Sequence, residues 1–349
     1  MSKIPVGVLG ATGAVGQRFV ELLAEHPWFQ VAEVAASDRS AGRPYAEACG
    51  WRLPGAPPAA VARLEVRRCD APFHSRLLFS GLDSSVAGEV ESALAAQGHA
   101  IVSNSRNHRM GADVPLLIPE VNPDHLGALE LQRRRNHGGY VVTNPNCSVV
   151  GLAMALAPLH RAFGLASVQV VTLQALSGAG YPGVASMDIA DNVIPYIGGG
   201  EEEKIETEPR KILGAWTNSR FEMAAFSIAA SVHRVDVSDG HTMALFVSLE
   251  RPADAGTAGE VLAGFQGEPQ ARKLPSAPER PIHVLTQPDR PQPRLDRDRE
   301  GGMAVAVGRV RSDGNGGLKL EVLVHNTIRG AAGAAILNAE LLQARGLLE

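Results

Sequence analysis

Cys147 sits where a cysteine can act as a nucleophile. It follows Asn144-Pro145-Asn146, a sharp turn after the strand-like Val141-Val142-Thr143. It opens a long apolar stretch with Val149, Val150, Leu152, Ala153, Met154 and Leu156, which reads as a buried helix. The positive end of a helix dipole lowers a thiol pKa and favours the thiolate. Backbone N–H groups of the same turn, with the Asn146 side chain, could receive a developing oxyanion. The same residues also read as a helix-capping segment with an incidental thiol. Cys49 and Cys69 have no such setting and read as packing residues.

A second chemical signal lies at the start. Residues 4–10 read as a strand, Gly10-x-x-Gly13-x-x-Gly16 follows, and Phe19, Val20, Leu22 and Leu23 begin a helical pattern. Glycines between a strand and a helix let backbone approach a pyrophosphate, which the helix N-terminus then holds. Strand-like residues 31–36 end in Ser37-Asp38-Arg39-Ser40. Arg39 between two serines suits a ribose 2′-phosphate and favours NADP, while Asp38 keeps NAD open. Arg106 and Arg109, just past the strand-like Ala100–Ser103, are candidate anion ligands or surface ion-pair residues.

These residues need elements to hold them. Strand-like 77–82, helix-like 86–97 and strand-like 100–103 continue a parallel α/β alternation. The later segments 168–176, 229–237, 242–249 and 303–310 read as strands, 330–347 as a last helix, and 276–299 as a long irregular loop or subunit contact. The expected fold is α/β, a Rossmann-type dinucleotide-binding domain of residues 1–146 followed by an α+β domain of residues 147–325. Length supports two domains: the chain has 349 residues, with 45% hydrophobic and 20% charged. A net charge of −4 and a pI near 6.3 give no reason to expect nucleic acid or an anionic membrane as partner. Three cysteines, no signal-peptide pattern and an apolar run too short for a membrane span predict a reduced, cytoplasmic protein without a metal site. Only five lysines occur, so one at a site carries more information than usual.

Taken in order, five motifs resemble aspartate-β-semialdehyde dehydrogenase. They are Gly10–Gly16, Val114–Asn122, Asn144–Ser148, Gln174–Gly180 and Arg234–His241, and the ending His325–Ala332 resembles the archaeal and fungal branch. The resemblance spans almost the whole chain. N-acyl-glutamyl-phosphate reductases share the architecture but usually carry a Pro-Gly-Cys-type motif, which is absent here.

The resemblance implies an NADP-dependent enzyme that makes aspartate semialdehyde from aspartyl phosphate through a Cys147 thioester. His241, after the Ser238-Asp239-Gly240 turn, would be the general acid and base. Arg234 would grip the substrate carboxylate, where the bland reading is an edge-strand residue paired with Asp236. Gln174 would orient the substrate. Glu201, or Glu202, would hold the ammonium, and Lys204 and Arg109 the phosphate; the bland reading of Glu201-Glu202-Glu203 is a helix start that complements the dipole. Thr12, Gly13, Ala14, Val15, Ser37, Arg39 and Ser40 would bind NADP, with Ser177, Gly178 and Asn326 at its nicotinamide end. The second domain would catalyse and dimerise, the segment 326–349 would complete the first, and the protein would be a homodimer or homotetramer. A malonyl-CoA reductase and a non-catalytic NADP sensor are the rival readings.

Overall fold

The parallel sheet comes first in the chain of this computed structural model, which describes residues 2–348. Its strands are β1 (Ile4–Leu9), β2 (Phe29–Ala36), β3 (Val66–Arg68), β4 (Leu77–Ser80), β5 (Ala100–Ser103) and β6 (Tyr140–Thr143). They lie in the order β3-β2-β1-β4-β5-β6, every neighbouring pair parallel. Parallel strands are covered on both faces, so β4 (Leu-Leu-Phe-Ser) and β5 (Ala-Ile-Val-Ser) are buried throughout. The order reverses between β1 and β4, and the crevice at the carboxyl ends there is where such sheets bind ligands.

The glycine loop fills that crevice. Gly10 has φ +71°, and a Cβ on Gly16 would lie 2.2 Å from the Gly10 carbonyl oxygen. The helix Ala14–Leu23 starts at Gly13 without a capping side chain. Its first N–H groups are thus left for another acceptor.

The second sheet contains β7 (Leu165–Gln174), β8 (Ile194–Pro195), β11 (Ser227–Arg234), β12 (His241–Leu249), β13 (Ile282–Leu285), β14 (Val305–Ser312) and β15 (Leu318–Val324). The short strands β9 (Ala215–Thr217) and β10 (Arg220–Glu222) form a separate hairpin. The sheet is mixed, in the order β13-β14-β15-β12-β7-β11-β8. β7 alternates as a half-covered strand should: Val168, Val170, Thr172 and Gln174 point inward, Val171 and Leu173 outward. Against the inner face lies the helix Cys147–Phe163, buried from Ser148 to Leu159. Residues after β15 return to the first domain, where Ile336, Leu337, Leu341 and Leu342 share a core with Phe19, Phe79 and Leu129.

Several boundaries differ from expectation. β15 was not anticipated, although Leu-Lys-Leu-Glu-Val-Leu-Val alternates correctly. The segment 276–299 is not all irregular, since it holds β13 and a helical turn, Pro293–Asp296. The last helix runs Gly333–Ala344 after a π-type turn, Ile328–Ala332, in which buried Arg329 meets Glu120 at 2.6 Å. That buried pair fixes the return crossing. Among the described residues, no helix is long and apolar enough to cross a membrane.

Replacing Gly16 by Ala forces the loop backbone apart. The expected outcome is a loss of about 1–3 kcal/mol, the usual range for overpacking, read as a lower thermal unfolding midpoint.

Candidate active site

Asn146 caps the helix that Cys147 begins, its Oδ1 accepting from the Ser148 N–H at 2.9 Å. Cys147 Sγ lies 3.2 Å from His241 Nε2. His241 is the first residue of β12 and fully buried. The Ala175 N–H donates to His241 Nδ1 at 2.9 Å, so the neutral ring carries its proton on Nε2, facing the sulfur. The carbonyl of the same Ala175 accepts from Arg234 Nη1 at 2.7 Å. One residue's backbone therefore aims both the imidazole and the guanidinium. Arg234 is buried and pairs with this carbonyl rather than with Asp236.

The electrostatics reverse one expectation. Burial, with Glu201 adding to it, pushes the Cys147 thiol up to about 12 against the pull of Arg109, Arg234 and the Ser148 N–H. A helix N-terminus alone would lower it, but desolvation of the thiolate is the larger effect. Burial, then Arg234, pushes His241 down to about 3. The ligand-free pair is thus a thiol beside a neutral imidazole.

The helix Glu201–Ile212 supplies the charged wall. Glu201 Oε1 accepts from Asn146 Nδ2 at 2.6 Å and from Gln174 Nε2 at 3.3 Å, and its Oε2 takes Lys204 Nζ at 2.9 Å. Burial works to raise the Glu201 carboxyl, but Lys204, Asn146 and Gln174 outweigh it and hold it below its ordinary range. Glu202 instead accepts from the Val232 N–H at 3.2 Å, so of the two acids Glu201 faces the thiol. The Asn146 amide, expected near an oxyanion, is given to Glu201. Arg109 is buried: Nη1 meets Glu208 Oε1 at 2.9 Å and Nη2 the Asn104 carbonyl at 2.8 Å. Arg106 is exposed and bonds the Gly199 carbonyl. Arg109 belongs to the site's charge balance, since it pulls on the thiol.

The residues expected at a dinucleotide fall in two groups. Thr12, Gly13, Ala14 and Val15 form the loop and first turn of the helix Ala14–Leu23. Ser37, Arg39 and Ser40 sit past the carboxyl end of β2, Ser37 and Arg39 exposed. At the other end, Asn326 Nδ2 donates to Ser177 Oγ at 2.8 Å, and Asn326 Oδ1 accepts from the Gly240 N–H at 2.8 Å. Asn326 thereby ties the Ser177 loop to the turn before His241. A Cβ on Gly178 would lie 2.8 Å from Arg234 Nη1 and 3.0 Å from His241 Nε2. The open helix start, the crowded glycines and this close approach suit an extended nucleotide running from β2 to Cys147.

Four residues escaped the sequence reading. Glu208 and Lys211 continue the Glu201–Lys204 stripe at helical spacing, which was the available signal. Lys211 Nζ donates to the carbonyls of Arg109, Gly111 and Val114, each at 2.8 Å. Burial pushes it down to about 7 against Asp113 and Glu208. Arg68, on β3, meets Asp38 at 3.2 Å beside Arg39. Gly330 leaves room for the nucleophile, since a Cβ there would lie 2.9 Å from Cys147 Cβ. Nothing in local sequence marks these last two. Cys49 and Cys69 both lie far from this wall, with thiols pushed up chiefly by burial.

Because the raised thiol titrates above the working range, alkylation of ligand-free Cys147 by iodoacetamide is expected to rise about tenfold per pH unit between about pH 7 and pH 9. A plateau near neutral pH would mean that the dipole, not burial, governs the sulfur.

Comparison with known proteins defines the class. Residues 5–129 match the family description "Semialdehyde dehydrogenase, NAD binding domain" and residues 156–329 match "Semialdehyde dehydrogenase, dimerisation domain". The chain belongs to the semialdehyde dehydrogenase family. Among its relatives, the aspartate-semialdehyde dehydrogenase of Archaeoglobus fulgidus is 50% identical over 343 residues, covering 97% of this chain and 98% of that one. That of Schizosaccharomyces pombe is 48% identical over 353 residues, covering 98% and 99%. A crystal structure of the Candida albicans aspartate semialdehyde dehydrogenase with NADP superposes with a TM-score of 0.91 at 42% identity, covering 99% of this chain and all of that one.

Proposed function

We propose that the protein is an NADP-dependent, phosphorylating aspartate-semialdehyde dehydrogenase. It converts L-aspartyl-4-phosphate to L-aspartate 4-semialdehyde and phosphate, in the biosynthesis of lysine, threonine, methionine and isoleucine. The observation that carries this reading is the 3.2 Å approach of Cys147 Sγ to His241 Nε2, walled by Arg234, Glu201 and Arg109.

Each group then has a task. Cys147 Sγ bonds to the acyl carbon as the bond to the phosphate oxygen breaks, leaving a thioester. Arg109 and Lys204 receive the phosphate, Arg234 the α-carboxylate, Glu201 the ammonium, and Gln174 orients the chain between them. A bound NADPH would supply the hydride equivalent by which the thioester carbon is reduced. His241 Nε2–H is set to donate toward the sulfur and toward the oxygen growing on the adjacent carbon. To accept the thiol proton, the ring must first release the Ala175 N–H and place its proton on Nδ1. Expulsion of Sγ from the hemithioacetal frees the aldehyde as the hydroxyl proton passes by way of the imidazole to the leaving sulfur. Thr12–Val15, Ser177, Gly178 and Asn326 would hold the dinucleotide, and Ser37, Arg39 and Ser40 its 2′-phosphate.

The division of labour would follow the two sheets: residues 1–146, completed by 326–349, for the cofactor and 147–325 for catalysis and dimerisation. The outward face of the second sheet exposes Val171, Leu173 and Phe246. Such an apolar face suits a symmetric contact in a homodimer or homotetramer, and the enzyme would work in the cytoplasm.

Purified protein should reduce NADP with aspartate semialdehyde only when phosphate is present, and Cys147→Ala should cut that rate by about a thousandfold or more. No phosphate-dependent reduction, or oxidation of NADPH by malonyl-CoA instead, would sink the substrate assignment. Gly178→Ala drives a methyl into Arg234 and His241. A folded variant should lose about a hundredfold in kcat/KM, the scale of a misplacement near 1 Å, with its unfolding midpoint little changed.

A further inference from the structure

Four of the polar residues of the helix Glu201–Ile212, namely Glu201, Lys204, Glu208 and Lys211, follow one another at spacings of three, four and three. That spacing keeps them on one face. Glu201 and Lys204 belong to the substrate site already described. Glu208 does not reach the thiol, and yet it is 2% exposed and fully engaged. Its Oε1 accepts from Arg109 Nη1 at 2.9 Å, and its Oε2 accepts from the backbone N–H of Asn146 at 2.7 Å. One carboxylate thus spans the cation that would hold phosphate and the residue before the nucleophile.

From this bridge we infer that Glu208 is a positioning residue, fixing the Arg109 guanidinium relative to Cys147 so that a phosphate group is held at one distance from the sulfur. The inference rests on the phosphate role proposed above for Arg109. Two donors converge on Glu208, and each needs its own acceptor. A glutamine offers one carbonyl oxygen and would turn an NH2 group toward the other donor. An aspartate keeps the charge but is one methylene short of spanning both. The rest of the loop is already fixed: the Asn104 carbonyl takes Arg109 Nη2, and Lys211 Nζ grips the Arg109, Gly111 and Val114 carbonyls. Arg109 Nε has no partner among the described residues and is shielded from solvent. The guanidinium is therefore oriented by Glu208 and Asn104 with a buried donor to spare.

The test measures binding of inorganic phosphate to the whole protein by calorimetry, and KM for phosphate and for aspartate semialdehyde by steady-state kinetics. Glu208→Gln, and Glu208→Asp as a second variant, should weaken phosphate binding and raise its KM by about tenfold, the worth of one charge-assisted hydrogen bond. The KM for aspartate semialdehyde should move less than about twofold. In an Arg109→Ala background, Glu208→Gln should add no further loss of phosphate affinity, because the residue acts through Arg109. Equal rises in both KM values, additive losses in the double variant, or unchanged phosphate binding in folded variants would each overturn the inference. Wild-type protein that binds phosphate, loses that binding on Glu208→Gln, and yet shows no dehydrogenase activity would keep the inference and remove the proposed reaction. Wild-type protein that binds no phosphate would overturn the inference itself.

Discussion

The turn Asn144–Asn146 joins the last strand of the parallel sheet to the helix that Cys147 begins, and the site is built outward from it. Asn144 is held from three directions. Its Nδ2 donates to Asn104 Oδ1 at 2.8 Å and to the Ala331 carbonyl at 2.9 Å, and its Oδ1 accepts from Asn338 Nδ2 at 2.6 Å. Asn146 donates its backbone N–H to Glu208 and its Nδ2 to Glu201, and its Oδ1 accepts from the Ser148 N–H at the helix start. Buried amides without such partners would cost more than any single bond here returns. Pinned in this way, the turn sets the position of the sulfur against both domains at once. The returning segment after β15 takes part directly, since Ala331 and Asn338 belong to it.

Burial gives the site its character and also its difficulty. A thiol, a carboxylate and two guanidiniums share a space where water screens them little, so each changes the protonation of its neighbours. Glu201 opposes the thiolate, while Arg109 and Arg234 favour it. In the ligand-free protein the balance lies on the side of the neutral thiol. In the proposed reaction an anionic substrate would bring its own charges into this balance, engaging the two arginines, while its ammonium would offset Glu201. On that reading, activation of the sulfur would be tied to occupancy of the site rather than to the helix dipole. The neutral imidazole fits the same scheme: with the Ala175 N–H on Nδ1, it presents a proton to the sulfur without adding a net charge to a wall that already holds several.

Much of this arrangement was legible in the residues. The glycine loop, the parallel alternation and the position of Cys147 at a helix start follow from local pattern, because each depends on neighbours in sequence. The partner of Cys147 does not: His241 lies 94 residues away and nothing around it but a turn marks it without the family resemblance. The protonation of the thiol departs from the helix-dipole expectation for the same reason. The dipole is a local property readable from position, whereas desolvation depends on residues distant in sequence, such as His241 and Gly330, that pack around Cys147. Gly330 acts only through its approach to Cys147, made when the returning segment meets the helix, and Arg68 only through Asp38, which the pairing of β2 with β3 brings near.

The charged stripe of the helix Glu201–Ile212 shows why the remainder was hidden. Three consecutive acids at a helix start have an adequate local explanation in the dipole, and that explanation holds for Glu203, which is exposed. Only the spacing separates its neighbours. Glu201, Lys204, Glu208 and Lys211 recur as core leucines would, although they are charged, and Ile205 and Ile212 flank them as buried residues. A polar stripe with apolar periodicity is costly unless every member is paired, and here each is: Glu201 with Lys204, Glu208 with Arg109, Lys211 with three carbonyls. Burying them holds the Arg109 loop and the Asn146 turn in fixed relation to one rigid helix. An apolar face could have packed against the same loop, but it could not have supplied the acceptors and donors that set the direction of a guanidinium.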